Sequence, residues 1–442
     1  MALTAVRGGG KPRSAEHFTL AGRQAGSWLV GGAIMGTLVG GASTIGTVQM
    51  AFLFGLSGWW FTLGAGLACL CLGLFLAAPL RESEVETIPQ FIARRYGERT
   101  RLAASLFSAA GMFVHIVAQL LAASAILTTL LDLSFVTAAL LSTGLIALVS
   151  VTGGMRSAGP FGLAKLLLLY LTMLTAGIFS LRLAGGWSGL TSGLPDFPWF
   201  SLFGYGRHEG LSDLLSMLVG VISTQTYLQA VFSARDRRAA RNGALISAAL
   251  IPPLGLLGVA VGMFMRLSRP EIDSSLALPT FIIEHLPPAF GGVAFAALLI
   301  AAVGTASGLV LGVGTTVRLD MLRRWRPNRP ASLGQLRWLT LAVLALAVLL
   351  LIANLGTAIL EWSFLSMGLR GATLCLPLLA AIFCGRSVSP AGGALAIVVG
   401  PTSVIVAGLA QIEPVPPLYI GLAASLACLL LGRFMPSAGR RV

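Results

Sequence analysis

Long runs of apolar residues dominate the chain and set its fold class. About twelve runs reach the length of about 20 residues that a helix needs to cross a bilayer. We number them as segments 1 to 12, at about 26–54, 58–80, 103–131, 134–153, 160–181, 211–233, 242–265, 291–316, 335–354, 357–384, 388–410 and 417–435. The pattern predicts an all-α polytopic membrane protein.

Segment 1 is interrupted by a run of small and polar residues, GGASTIGT at 40–47. Glycine weakens a helix, and carbonyl groups freed at that depth find no water. Membrane proteins tolerate such a break where the exposed backbone lines a cavity and coordinates an ion or a substrate. The interruption therefore predicts a transporter.

The order of the segments predicts two blocks of five helices. Segment 6 is also interrupted, around Gly220 and Thr224, so each block begins with a broken helix. An odd number of helices per block inverts the second block, which places a site at the midplane between the two. We expect a tail at 1–25, a first repeat at 26–182, an external loop at 183–210, a second repeat at 211–384, helices 11 and 12 at 385–436, and a tail at 437–442. The external loops at 183–210 and 267–290 are either connectors or carry short helices that act as an outer gate.

Composition supports the membrane assignment. The 442 residues are 56% hydrophobic and 10% charged, whereas a soluble domain has roughly a quarter charged residues. The net charge of +14 comes from Lys and Arg clustered in alternate loops, which is the positive-inside pattern. We expect both termini in the cytoplasm and no nucleic-acid partner.

Other classes of protein lack their signatures. The four His residues form no catalytic set, and the sequence has no His-Glu-x-x-His motif, nucleophile elbow or nucleotide-binding domain. We therefore expect neither an enzyme nor an ATP-driven pump. A membrane sensor without net transport stays an alternative.

Several short motifs in order resemble the sodium:solute symporter family, which has the LeuT-type inverted-repeat fold. The motifs are FTLAGR at 18–23, GASTI at 41–45, GLSGW at 55–59, IPQF at 88–91, RYGER at 95–99, TGGMR at 152–156 and AAVGT at 301–305. The resemblance implies a LeuT-type 5+5 repeat with two additional C-terminal helices.

The resemblance also implies a Na⁺ site between the break in segment 1 and segment 8. The matching positions are the carbonyls of Ala42, Ile45 and Ala301, together with Gly304 and Thr305. Na⁺, as a hard cation, takes several oxygen ligands. Alternatively, the small residues 301–307 form a helix-packing seam.

Two departures from the family pattern bear on the cation. Gly304 lacks the hydroxyl usual in the family, and Gly162 stands where many members carry Asp. Lys165 lies one turn beyond Gly162, and an intramembrane Lys is a functional candidate. We hypothesise that its ammonium replaces Na⁺, which gives proton coupling or uncoupled exchange. Alternatively, Lys165 extends to the cytoplasmic interface.

Polar side chains on the helices that face the cavity in this fold are candidate solute contacts. They are Ser43, Thr44, Gln49, His115, Gln119, Gln225, Tyr227, Gln229 and Trp362. The other intramembrane charges are Glu361 and Arg370, which project to opposite sides of segment 10 and should not pair. Arg370 either holds freed carbonyls or attracts an anionic solute.

The resemblance implies a Na⁺-coupled symporter of a small organic solute. Alternating access would rock segments 1, 2, 6 and 7 against segments 3, 4, 8 and 9. We expect a multi-pass protein of a bacterial inner membrane whose partners are the solute, the lipid bilayer and possible further copies of the chain.

Overall fold

The computed structural model describes residues 23–85, 87–153, 159–317, 333–353, 358–412 and 414–434. Within these ranges the chain is helical, apart from connecting turns and an isolated bridge between Ala25 and Ala234. Residues 1–22, which include most of the motif at 18–23, lie outside the described residues, as do part of the motif at 152–156 and the C-terminal tail. The cytoplasmic location of the termini stays a prediction.

The helices are numbered in chain order over the described residues. They are α1 Ser27–Leu38, α2 Thr47–Phe54, α3 Trp60–Cys71, α4 Ala77–Glu82, α5 Ile88–Tyr96, α6 Glu98–Leu131, α7 Phe135–Gly153, α8 Gly159–Leu183, α9 Gly186–Gly193, α10 Asp196–Trp199, α11 Arg207–Ser223, α12 Gln225–Phe232, α13 Arg237–Ser268, α14 Ala277–His285, α15 Pro288–Thr316, α16 Leu333–Ala353, α17 Ile359–Phe383, α18 Pro390–Leu409 and α19 Pro417–Leu431.

Each predicted membrane segment contains helix. Within the described residues, seven helices are long and apolar enough to cross a membrane, or eight if the bent pair α11–α12 is one span. Four further apolar helices are shorter, at Ser27–Leu38, Phe135–Val151, Arg337–Ala353 and Pro417–Leu431. The break in segment 1 leaves α1 with 12 residues, and the helix Ala42–Glu82, which contains the rest of segment 1 and segment 2, counts as one span.

The break in segment 1 lies slightly before its predicted position. Val39 has an extended backbone (φ −86°, ψ 97°), and α1 ends just before it. Ala42–Gly46 is a π-helical turn that continues into α2, so most of the predicted interruption at 40–47 is helical. The opening is confined to Val39 and Gly40. The cause is local, because the Ser43 and Thr44 hydroxyls donate to the Gly40 carbonyl and stabilise the turn that follows.

The break in segment 6 lies where the sequence predicts it. Thr224 has an extended backbone (φ −93°, ψ 118°) between α11 and α12, and these two helices meet at a bend of 46°. The Thr224 hydroxyl donates to the Gly220 carbonyl at 2.6 Å, which satisfies an acceptor at the end of α11.

The helices pack into two groups that a further helix joins. In the first group, α13 contacts α1, α2 and α3, and α11 contacts α3. In the second group, α6 and α7 contact α15, and α16 contacts α6, α7 and α15. Helix α17 packs on α11 of the first group and on α6 of the second. These groups correspond to segments 1, 2, 6 and 7 and to segments 3, 4, 8 and 9.

The long connections contain short helices, as one of the two predictions allowed. Helices α9 and α10 lie in the 183–210 connection, and α14 lies in the 267–290 connection. Their movement as an outer gate stays a prediction.

The connection between α12 and α13 ends in a helix cap. Asp236 begins α13 by accepting the Ala239 N–H at 2.7 Å, and this hydrogen bond lowers the pKa of the exposed Asp236 carboxyl.

Candidate functional site

The backbone donors at the break in segment 1 are satisfied by side chains. The Gly40 N–H donates to Ser43 Oγ at 2.9 Å, and the Gly41 N–H donates to Gln119 Oε1 at 2.9 Å. Gln119 belongs to α6, so it caps the second half of segment 1 from a neighbouring helix. The Thr44 hydroxyl lies within hydrogen-bond distance of the Gly40 and Gly41 carbonyls and so provides a donor to the acceptors at the break. Ser43 and Thr44 therefore stabilise the backbone of the break, and no solute contact is needed to satisfy their hydroxyls.

Lys165 lies on the other side of the same break. Its Nζ donates to the Gly36 carbonyl at 2.8 Å, one of the last carbonyls of α1, which lack partners within a helix. The same Nζ lies 3.3 Å from the Ala301 carbonyl and 3.0 Å from Thr305 Oγ1. Lys165 is 8% exposed. The alternative prediction, that Lys165 extends to the cytoplasmic interface, is wrong, because α1 and α15 supply three oxygen partners inside the protein.

Two of the predicted Na⁺ ligands are therefore partners of an ammonium. The Ala301 carbonyl and the Thr305 hydroxyl both receive hydrogen bonds from Lys165. An ammonium and a Na⁺ ion take the same oxygen ligands, and their like charges repel each other in a medium of low dielectric. These two groups can therefore bind one cation or the other at a time.

The remaining predicted Na⁺ ligands are not among the hydrogen-bond partners of Lys165 in the described residues. Ala42 and Ile45 lie in the π-helical turn, and the Ala42 carbonyl accepts the Thr47 N–H. Gly304 lies on an exposed side of α15, where a Cβ would meet no atom of the described residues within 4 Å. The structure therefore brings together Ala301 and Thr305 and leaves Gly304 facing outward, while Ala42 and Ile45 as Na⁺ ligands stay predictions.

A line of polar side chains leads from the break toward α17. Gln119 Nε2 lies 3.0 Å from His115 Nε2, so the predicted pair on one face of α6 is confirmed as a hydrogen bond. His115 Nδ1 lies 3.3 Å from Arg370 Nη2. All three side chains are buried. Helices α6 and α17 thus share a polar network with the broken segment 1.

Arg370 is held mainly by its own helix. Its Nε donates to the Ser366 carbonyl at 3.1 Å, and its Nη2 donates to Ser366 Oγ at 2.8 Å. The Ser366 hydroxyl in turn donates to the Gly111 carbonyl of α6 at 2.6 Å. Tyr227 of α12 also lies beside the guanidinium. The Ser366 carbonyl lies inside the continuous helix α17, so the predicted role of Arg370 in holding freed carbonyls stays a prediction. No ion pair joins Arg370 to Glu361 in the described part of the chain.

The other predicted solute contacts lie in several places. Gln49 Oε1 accepts the Ile359 N–H at 2.9 Å, and Gln49 Nε2 lies 3.4 Å from Ser274 Oγ. Gln225 Oε1 accepts the Ile88 N–H at 2.8 Å. Gln49 therefore links segment 1 to segment 10, and Gln225 links segment 6 to α5. Gln229 also has an interaction partner.

Trp362 and Arg370 each have a buried donor nitrogen without a hydrogen-bond partner among the described residues, the indole Nε1 and the guanidinium Nη1. Both residues lie on α17. Trp362 and the network around Arg370 are therefore the predicted contacts that a solute could still use.

Sequence reasoning missed the contributions of Gly36, Gly111 and Ser366. The Gly36 and Gly111 groups are backbone carbonyls, which leave no trace in the side-chain pattern. Ser366 lies four residues before Arg370 on α17, so the i,i+4 spacing could have suggested their contact.

Comparisons with known proteins agree with this architecture. Residues 18–400 match the sodium:solute symporter family, and the chain belongs to that family. The uncharacterized symporter YwcA of Bacillus subtilis (strain 168) is 25% identical over 349 residues, which cover 72% of this chain and 66% of YwcA. The sodium/glucose cotransporter of Vibrio parahaemolyticus is 21% identical over 384 residues, which cover 78% of this chain and 70% of the cotransporter.

Solved structures share the fold. A Na⁺-coupled sialic acid symporter in a substrate-bound, outward-open state gives a TM-score of 0.73 at 17% identity, covering 98% of this chain and 94% of the symporter. The nucleobase-cation-symport-1 family transporter Mhp1 gives 0.62 at 13% identity, covering 94% of this chain and 93% of Mhp1. The predicted LeuT-type helical fold is confirmed.

Proposed function

We propose that this protein is a secondary active transporter that moves a small organic solute across a bacterial inner membrane by alternating access. The family match and the two broken helices, α1–α2 and α11–α12, support this function. The rocking unit would be the group of helices around α13, moving against the group around α15. Transport of a solute, measured as flux in proteoliposomes, separates this function from that of a sensor.

We further propose that the Lys165 ammonium takes the position of Na⁺. The observation that carries this proposal is the contact of one Nζ with Gly36, Ala301 and Thr305. Lys165 would then join α1 to α15 as a bound cation does, and its proton would supply the coupling, or the carrier would exchange solutes without coupling. Na⁺ coupling is the alternative, and the Na⁺-coupled relatives support it.

Uptake into proteoliposomes tests the coupling ion. A thermal-shift screen first selects a solute that stabilises the purified protein, since a bound solute raises the stability of the folded state. Uptake of that solute is then measured with an inward Na⁺ gradient, with an inward proton gradient and with choline alone. We expect no dependence on Na⁺.

Variants make the result specific to Lys165. Lys165→Gln should abolish any proton-driven component, while exchange of internal for external solute continues. Arg182→Gln, a change of an exposed cation on the same helix, should behave as the unmodified protein. Uptake by the unmodified protein that requires Na⁺ contradicts the proposal and favours Na⁺ symport.

A further inference from the structure

The two cations buried in the core have only neutral partners. Lys165 and Arg370 are 8% and 1% exposed. Their hydrogen-bond partners are carbonyls, hydroxyls, a thioether and an imidazole. No carboxylate oxygen lies within 4 Å of either side chain in the described part of the chain. Backbone carbonyls are usual partners of buried cations in membrane proteins, and both side chains have them. These neutral partners do not cancel the charge, so the described core carries positive charge that an anion would offset.

In the network around Arg370, one N–H donor has no acceptor. The Gly41 N–H can only donate, so the oxygen of the Gln119 amide must face it, and the Gln119 amide nitrogen must face His115 Nε2. His115 Nε2 therefore accepts, and the proton of the neutral imidazole lies on Nδ1. That nitrogen faces Arg370 Nη2, which is also a donor. The two N–H groups of Nη2 already reach Ser366 Oγ at 2.8 Å and Met367 Sδ at 3.3 Å. The His115 Nδ1–H therefore faces a donor and has no acceptor in this network.

The guanidinium itself has unused donors, on Nη1. Arg370 Nη1 is buried and has no hydrogen-bond partner among the described residues. Tyr227, beside the guanidinium, belongs to the broken helix α11–α12. Gln119, at the other end of the network, caps the broken helix α1–α2 at Gly41. The unused donors of Arg370 therefore lie between the two broken segments. Gly111 leaves the room for this side chain, since a Cβ there would lie 2.5 Å from Arg370 Cγ.

We propose that the transported solute is an organic anion and that Arg370, together with the His115 Nδ1–H, binds its carboxylate. A carboxylate only accepts hydrogen bonds, so it would satisfy the unused donors and offset the buried charge. Arginine is the side chain best suited to this task, because its planar fork matches a carboxylate. This inference rests on the proposed transport function, and it holds with either coupling ion.

Thermal unfolding of the purified protein with a panel of carboxylates and their neutral amides tests the inference. The probes are the potassium salts of acetate, lactate, benzoate and succinate, each compared with its amide at constant choline chloride, so that chloride contributes equally throughout. At least one carboxylate should raise the melting temperature while its amide does not. Equal shifts with the amides, or no carboxylate-selective shift, would overturn the inference.

Variants then locate the binding site. Arg370→Gln should weaken the selected carboxylate by at least about 30-fold, as expected when one partner of a buried charge pair is removed. Arg370→Lys keeps the charge and should bind with intermediate affinity, which distinguishes lost binding from lost folding. Arg182→Gln should leave the affinity unchanged, and unchanged affinity in Arg370→Gln would contradict the inference. These assays measure binding without flux, so failure of the proposed transport function is detected separately, in the proteoliposome assay.

Discussion

The amide of Gln119 connects two parts of the site that the sequence keeps far apart. Its oxygen caps the Gly41 N–H and its nitrogen bonds to His115. No water is available in the bilayer core to replace such a partner. The buried position of Gln119 is thus explained by the break in segment 1, and the side chain fixes the orientation of the imidazole that faces Arg370.

A substitution that removes this cap tests its role. Gln119→Leu should lower the free energy of unfolding by about 1–3 kcal/mol, because the buried Gly41 N–H loses its acceptor. Thermal unfolding of the purified protein measures the change. Gln24→Leu, at an exposed position, provides the control and should leave the stability unchanged. Equal stability of the two variants would show that the Gly41 N–H does not depend on Gln119.

The broken helix α11–α12 depends on close contact with α17. A Cβ at Gly220 would lie 2.5 Å from the Met367 Cβ and 2.8 Å from the Met367 carbonyl oxygen. Such distances leave no room for a methyl group without moving a backbone. Glycine at this position therefore lets α11 approach α17, the helix that carries Arg370.

Enlarging Gly220 should separate these helices. Gly220→Ala should reduce the free energy of unfolding by about 1–3 kcal/mol, the usual cost of overpacking, and it should also weaken carboxylate binding. Gly144→Ala is the matched control, because a Cβ there meets no atom of the described residues within 4 Å. Its stability should be the same or slightly higher. If both changes are tolerated equally, close packing of α11 on α17 does not stabilise the fold.

The sequence predicted the elements better than their contacts. The glycine pair at 40–41 and the polar run near Thr224 correctly indicated two broken helices, because backbone breaks leave a local signal. The side chain of Lys165 was harder to place, since its position near the start of segment 5 says nothing about how α8 packs on α1 and α15. The Gly36 carbonyl and the exposed side of Gly304 depend on tertiary packing, and no local pattern encodes them.

On the scale of the whole molecule, Lys165 joins the two groups of helices that alternating access would separate. Its ammonium contacts Gly36 in α1 of one group and Thr305 in α15 of the other. Gly40 lies between Thr305 and Gln119, since a Cβ on it would be 2.8 Å from Thr305 Oγ1 and from Gln119 Oε1. The two buried cations are therefore linked through the break itself, so a movement of α1 would affect both.

Binding of ²²Na⁺ to the purified protein tests the position of the ammonium without knowledge of the solute. Scintillation proximity should detect no saturable binding to the unmodified protein, because Lys165 already occupies the Ala301 and Thr305 oxygens. Saturable ²²Na⁺ binding by the unmodified protein that Thr305→Ala abolishes would contradict this account.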